Sequence, residues 1–314
     1  MKNKKILVTG GAGFIGSNLV KYLIKEGNLV TVLDNFMSGY RSNLDPFPTV
    51  HIIEGDVRDK TAVELAMRGV EVVFHLAASV GNKRSIDQPI QDAEINVLGT
   101  LQVLEAARKA GVRKIVTSSS AGIFGELKTM PIKEDHPIEP DSPYGCTKLC
   151  EEKLSLSYAK LYDIEAVCLR YFNVYGPNQR FDAYGNAIPI FVFRMLQNEA
   201  LIVYGDGEQT RDFVHVDDVV QANIKAADAI GVSGAFNIAS GTRVTINRLL
   251  EMISKDRKTA IKIEHGPERP GDVRHSLADI SFAHNRINYT PSVDLENGIN
   301  EYVKWARTTI DASK

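Results

Sequence analysis

Short apolar runs alternate with longer amphipathic stretches through the first half of the chain, and this rhythm predicts an α/β protein. Lys5 to Thr9 reads as a short buried strand, Leu29 to Leu33 as a second, Val50 to Glu54 as a third and Val72 to His75 as a fourth. Val112 to Thr117 and Glu165 to Leu169 continue the series. Between them lie patterns of helical period, from Phe14 through Ile24 and again at Ile95, Leu98, Leu101 and Leu104, which predict a continuous apolar stripe. Strands and helices in this alternation predict a doubly wound parallel sheet. After residue 173 the alternation stops. Gln179 to Gly185 reads as a polar loop, Ile188 to Leu196 as a helix, Val214 to Ala227 as a strand edge and helix, and Ile299 to Trp305 as a short amphipathic helix. The expected division is a first domain of residues 1–173 plus about 213–240, and a smaller α/β cap of about 174–212 plus 241–314.

Composition changes this picture little. A chain of 314 residues buries a large core and holds one or two domains. A formal charge of −2 argues against nucleic acid or a membrane surface as main partner. The basic start, Met1 to Lys5, is followed only by Ile6, Leu7 and Val8 before glycines begin, so a strand is expected rather than a signal peptide or a span, and the expected location is the cytoplasm. Cys146, Cys150 and Cys168 are too few and too oddly spaced for a disulfide framework or a zinc site, and no metal is expected.

The candidate chemistry starts at Gly10-Gly-Ala-Gly13-Phe14-Ile15-Gly16, a glycine-rich turn between the first strand and the first helix. Glycines there let the backbone approach a pyrophosphate whose charge suits a helix N-terminus; a plain tight turn has the same residues. The second strand ends at Asp34, 18 residues beyond Gly16. A carboxylate in that place accepts hydrogen bonds from adenosine ribose hydroxyls and repels a 2′-phosphate, which favours NAD over NADP. Asp56 and Val57 end the third strand, near the expected adenine, and Leu76, Ala77 and Ala78 follow the fourth. His75, among apolar neighbours, reads as a packed strand residue. Asn96 reads from its pattern as a solvated helix position. The fifth strand delivers Ser118, Ser119 and Ser120 to the carboxyl edge of the sheet. A helix opening at Pro143 then carries Tyr144 and Lys148, four residues apart and on one face. An ammonium so near favours the phenolate, so the Tyr144 pKa is expected to fall below its usual value of about 10, as a general base requires. Further along, Arg211 follows a glycine turn; a guanidinium suits phosphate capture, and a solvated surface arginine reads alike.

Glycine turn, Asp34, serine run and Tyr144-x-x-x-Lys148, in this order over nearly the whole chain, resemble the extended short-chain dehydrogenase/reductase family, and within it the nucleotide-sugar 4-epimerases. The resemblance implies Ser120, Tyr144 and Lys148 as the catalytic set, Ser120 being the serine before Ala121. Tightly bound NAD is implied, with contacts at Gly10, Gly13, Phe14, Ile15, Gly16, Asp34, Asn35, Asp56, Val57, Leu76, Ala77, Ala78, Asn96, Ser118, Tyr144 and Lys148. Substrate contacts fall on Ser120, Tyr144, Asn173, Arg211, Arg269, Asp272 and Ser276, the arginines on a diphosphate and Asp272 on a uridine ribose. By the resemblance Ser276, or His275 if the motif is shifted by one residue, takes the position that limits room beside the sugar 2-substituent; a serine there implies space for an N-acetyl group, hence UDP-N-acetylglucosamine and UDP-N-acetylgalactosamine, with UDP-glucose and UDP-galactose as the further pair. Cys146 departs from the family pattern and is expected to point away from the Tyr/Lys face.

The resemblance also implies a homodimer that pairs the helices around Ile95–Ala107 and Gly145–Leu161. Three rivals remain. A 4,6-dehydratase wants Asp-Glu after the serine, where this chain has Ala121-Gly122. A uronate decarboxylase or epimerase wants a cation for the sugar carboxylate, for which Lys83 and Arg84 are candidates. A non-catalytic NAD sensor on the same fold has no use for the intact serine, tyrosine and lysine.

Overall fold

The computed structural model describes residues 1–179, 181, 186–255, 261–268 and 273–312. Seven parallel strands make the main sheet: β1 (Lys5–Thr9), β2 (Leu29–Asp34), β3 (His51–Glu54), β4 (Val72–His75), β5 (Lys114–Ser120), β6 (Glu165–Tyr171) and β7 (Gly234–Ile238). They lie in the order β7-β6-β5-β4-β1-β2-β3. Chain direction across the sheet reverses between β1 and β4, and a cleft opens at the carboxyl ends of the strands at that switch point.

Alternate residues of each strand feed different cores, as the two-residue strand period demands. Ile6, Val8, Val32, Phe74 and Val116 pack with Leu19 and Leu23 of the Phe14–Lys25 helix and Val219 and Val220 of the Val216–Asp228 helix. Leu7, Leu33, Val73 and Ile115 pack on the opposite face with Val103, Leu104 and Ala107 of the Thr100–Ala110 helix. Both faces are covered, which is why these strands carry apolar residues at nearly every position.

A smaller C-terminal α/β region has its own core. Ile188 and Val192 of the Ala187–Leu196 helix meet Leu249 and Leu250 of the Ile246–Ser254 helix and Ile299 and Tyr302 of the Leu295–Ala312 helix. Leu201–Tyr204 and Ile263–Gly266 pair in parallel beside them.

Several elements differ from the sequence pattern. The three serines are not a loop after β5 but its last three residues, paired in register with Leu169, Arg170 and Tyr171. β7 was not expected; its Gly-Ala-Phe-Asn-Ile alternation is too short and mixed to signal a strand. The stripe through Ile95, Leu98, Leu101 and Leu104 is broken, because Glu94–Gly99 adopts a π-helical turn. That turn leaves Leu98 55% exposed while Ile95 and Leu104 are buried. Asn96, expected in solvent, is fully buried. The last helix, expected at Ile299 to Trp305, runs from Leu295 to Ala312.

Candidate active site

The cleft has a volume of about 970 Å³. Its floor at the β1 end is the glycine turn. Gly10 has φ of 70°, and a Cβ there would lie 2.7 Å from the Ala77 amide nitrogen. A Cβ on Gly16 would lie 2.1 Å from the Gly10 carbonyl oxygen. Only glycine allows the turn to close on the helix and on the β4 loop at once. Gly13 caps the Phe14–Lys25 helix without a side chain, and no acidic residue occupies the first turn. The amide dipoles of Phe14, Ile15 and Gly16 therefore open onto the cleft, a cradle that fits a pyrophosphate.

Asp34 lines the cleft at the end of β2, mostly buried. Its Oδ2 accepts from the Ala12 amide at 2.9 Å and its Oδ1 from the Phe36 amide at 2.8 Å. Burial pushes its pKa up, against the pull of those two amides. The carboxylate thus fastens the glycine loop as well as facing the cleft. Asn35, Asp56 and Val57 line the same end. The Asp56 carboxylate is held by Arg58 at 2.8 and 2.9 Å and by Asn35 at 2.7 Å, and the Arg58 hydrogen bonds bring its pKa to about 2. Leu76, Ala77 and Ala78 form the middle wall.

Asn96, expected among the cofactor contacts, does not line the cleft. It stands behind the wall: its Oδ1 accepts from the Ser79 amide at 2.8 Å, and its Nδ2 donates to the Ser79 carbonyl at 3.0 Å and to Thr147 Oγ1 at 3.0 Å. Thr147 in turn donates to Asp92 Oδ2 at 2.6 Å. This buried net fixes the β4 loop to the helix that carries Tyr144 and Lys148.

That helix, Pro143–Leu161, begins with proline at N1 and Ser142 as N-cap, whose Oγ accepts from the Gly145 amide at 3.1 Å. The Tyr144 amide donates to Ser85 Oγ at 3.0 Å, so the neighbouring Asn82–Asp87 helix holds its first turn. Tyr144 and Lys148 both line the cleft, with Ser118 and Ser120 facing them from β5. Ser120 lies close enough to Tyr144 to pull its pKa down, and its Oγ accepts from the Gly122 amide at 3.1 Å. Lys148 Nζ donates to Ser118 Oγ at 3.3 Å and to Glu151 Oε2 at 2.5 Å.

The expected fall in the Tyr144 pKa does not occur in the protein alone. Burial raises it; Lys148 and Ser120 pull down, while Glu151 and Asp92 push further up. Spacing within a helix reveals the ammonium but not the desolvation or the two buried acids around it. His75 is the packed residue expected: fully buried, it bonds Thr9 Oγ1 at 2.7 Å and Thr100 Oγ1 at 2.9 Å, and burial lowers its pKa to about 3.

On the opposite wall, Asn173, Arg211 and Ser276 all line the cleft. Asn173 Nδ2 donates to the Asp212 carbonyl at 3.1 Å, and Arg211 Nη1 to the Thr210 carbonyl at 2.9 Å. Ser276 is tied through its amide to the Thr210 carbonyl at 3.1 Å, while its neighbour His275 bonds Thr210 Oγ1 at 3.0 Å. Lys83 and Arg84 lie on the cleft rim, with Lys83 paired to Asp87 at 2.9 Å. Arg269 and Asp272 lie outside the described residues. Cys146 is exposed on the far side of the helix.

The sequence reading missed Asp92, Thr147, Glu151 and Glu152. Acidic residues on a helix are read as solvated, and only their burial reveals them.

A parallel sheet with a glycine cradle at its switch point, and a serine, tyrosine and lysine converging beside it, defines a dinucleotide-dependent enzyme acting on a hydroxyl-bearing substrate. The chain belongs to the NAD dependent epimerase/dehydratase family, whose model matches residues 6–239, and it is an NAD-dependent enzyme of the epimerase type. It is 38% identical to the UDP-glucose 4-epimerase of Mycolicibacterium smegmatis, covering 96% of this chain and 98% of the relative. Among solved structures it is similar to the UDP-N-acetylglucosamine 4-epimerase of Methanobrevibacter ruminantium in complex with UDP-N-acetylmuramic acid (TM-score 0.94, 39% identity, 98% of this chain and 100% of that one). It is equally similar in sequence to the UDP-glucose 4-epimerase of Thermotoga maritima with UDP-glucose (TM-score 0.90, 39% identity, 98% and 99%).

Proposed function

We propose that the protein interconverts UDP-hexoses at C4 with a resident NAD, and that its preferred substrates are UDP-N-acetylglucosamine and UDP-N-acetylgalactosamine. The observation that carries this reading is the convergence of Ser120, Tyr144 and Lys148 on one cleft with the glycine cradle. Gly10 to Gly16 and Asp34 would hold the pyrophosphate and adenosine ribose of NAD, and Lys148 the ribose next to the nicotinamide. Bound NAD supplies the acceptor and donor of the C4 hydride. Tyr144, as phenolate, takes the proton from the 4-hydroxyl and returns it to the 4-keto sugar after the sugar has turned its other face. Ser120 shares the hydrogen bond to that oxygen and so orients it. Lys148 opposes the burial that raises the Tyr144 pKa, and a cationic nicotinamide adds to that pull. Asn173, Arg211, Arg269 and Asp272 receive the UDP moiety. Ser276 supports the N-acetyl preference because a small side chain lines the wall at that point.

Replacing Tyr144 by Phe removes the proton acceptor and leaves the cradle intact. Turnover should fall by about two orders of magnitude or more, with NAD retained; full activity in Tyr144→Phe would end the reading. A uronate-acting enzyme is the second reading, supported by Lys83 and Arg84 on the cleft rim. Turnover of a UDP-uronate and not of the neutral sugars would favour it. We also propose a homodimer. Ile86, Ile90 and Leu98 are 63%, 73% and 55% exposed, apolar side chains suited to a second copy. Sedimentation of wild type against Ile90→Lys tests this, since a dimer should dissociate in the variant.

A further inference from the structure

The helix that carries Tyr144 and Lys148 also carries two adjacent glutamates, and both are fully buried. Their surroundings differ. Glu152 is compensated on both oxygens: Arg170 donates from Nη2 to Oε1 at 2.8 Å and from Nε to Oε2 at 2.9 Å, and Ser119 Oγ donates to Oε2 at 2.8 Å. Glu151 has one strong partner, the Lys148 ammonium, at 2.5 Å from Oε2. Its Oε1 is buried without a hydrogen-bond partner, and so is Oδ1 of Asp92.

An acid held in this way is costly, since a buried carboxylate with one free oxygen is poorly compensated. Lys148 sits three residues before Glu151, between that carboxylate and the Ser118 hydroxyl. Its ammonium is thus fixed from the protein side, and Lys148 lines the same cleft as Tyr144. We propose that Glu151 is a positioning residue for the acid–base pair, clamping the Lys148 ammonium in place and screening part of its charge from Tyr144.

Electrostatics around the site agree. Burial is the main cause that lifts the Glu151 pKa to about 7; Lys148 opposes it, and Glu152 and Asp92 add to it. Glu151 in turn works against ionisation of Tyr144. The groups that face it are Lys148, Glu152 and Cys150 on its own helix, Asp92 from the Pro89–Ala93 helix, and Cys168 and Tyr171 from β6. Lys148 is the cation among the first causes of its state; the others are acids, thiols or a phenol. Whenever that carboxyl is protonated, Tyr144 meets the Lys148 charge with less screening.

This inference rests on Tyr144 being the proton-transferring group, so its test is read without turnover. Tyrosinate formation is followed by ultraviolet difference titration of the NAD-loaded protein, wild type and Glu151→Gln. Each is corrected by subtracting the same protein carrying Tyr144→Phe, which isolates the Tyr144 signal. Removing one negative charge a few ångströms behind the lysine should lower the Tyr144 midpoint by about one pH unit. An unmoved or raised midpoint overturns the proposal, and a lower melting temperature with an unmoved midpoint marks Glu151 as a structural ion-pair residue only. If Glu151→Gln does not fold, Glu151→Met of similar volume makes the same prediction. Failure of the enzyme reading is distinguishable, because it is seen as undiminished turnover in Tyr144→Phe whatever the titration shows.

Discussion

Replacing Glu152 by Gln keeps the side chain's volume and removes its charge. The Arg170 guanidinium would then stay buried with no carboxylate hydrogen-bonded to it: in the native protein it makes two bonds to Glu152 at 2.8 and 2.9 Å, donates to the Glu134 carbonyl at 2.8 Å and lies over the Phe124 ring at 5.2 Å. Removing one partner of a buried, hydrogen-bonded pair costs about 3–5 kcal/mol, because the remaining charge is uncompensated. Against a total stability of about 5–15 kcal/mol this is large. At roughly 2 °C per kcal/mol for a chain of this size, melting should fall by about 6–10 °C. The effect should reach the active site, because Ser119, which donates to Glu152, adjoins Ser120 on β5. Thermal unfolding of the purified protein, read by circular dichroism, gives the number. Replacing both partners together, Glu152→Leu with Arg170→Met, should recover most of the loss. A Glu152→Gln protein that melts within about 2 °C of wild type would refute the claim that this pair is a buried charge in need of its partner.

Gly16→Ala should abolish resident NAD, since its Cβ would meet the Gly10 carbonyl at 2.1 Å; spectroscopy of cofactor released on denaturation checks this, and a full complement of NAD would contradict it. His75 bears on acid stability. Its folded pKa of about 3 lies below its ordinary value of 6.5, so its contribution is complete above 6.5 and is lost as pH falls from there towards 3. Urea titrations at about pH 7 and about pH 4 should show wild type losing roughly 3 kcal/mol more than His75→Gln, and equal losses would sink the assignment.

How much of this was legible beforehand follows from what a periodicity records. The sheet and its glycine turn were legible, because burial on both faces forces unbroken apolar runs and the turn has no room for side chains. Asn96 reads as solvated because it is a polar residue on a helix, and the partners that hold it inside, Ser79 and Thr147, lie 17 and 51 residues away in sequence. Glu151 and Glu152 were passed over because charge on a helix predicts solvent, and their partners, Lys148 apart, come from other strands. The Tyr144 pKa was read in the wrong direction for a related reason: sequence spacing shows the near cation, whereas desolvation is a property of the assembled cleft. β7 joins the sheet beside β6 through contacts 67 residues away in sequence, at Gly234 and Val167, and no local pattern encodes that.

The account rests on a resident cofactor and a C4 hydroxyl presented to Tyr144, and one measurement addresses both. Protein purified without added NAD is given UDP-N-acetylglucosamine, in parallel with UDP-glucose, and the C4 epimers are quantified at intervals. The expected result is conversion of the N-acetylated sugar to an equilibrium mixture without any cofactor supplement, with UDP-glucose converted no faster. Bound NAD with no C4 epimer formed from either sugar would contradict the account.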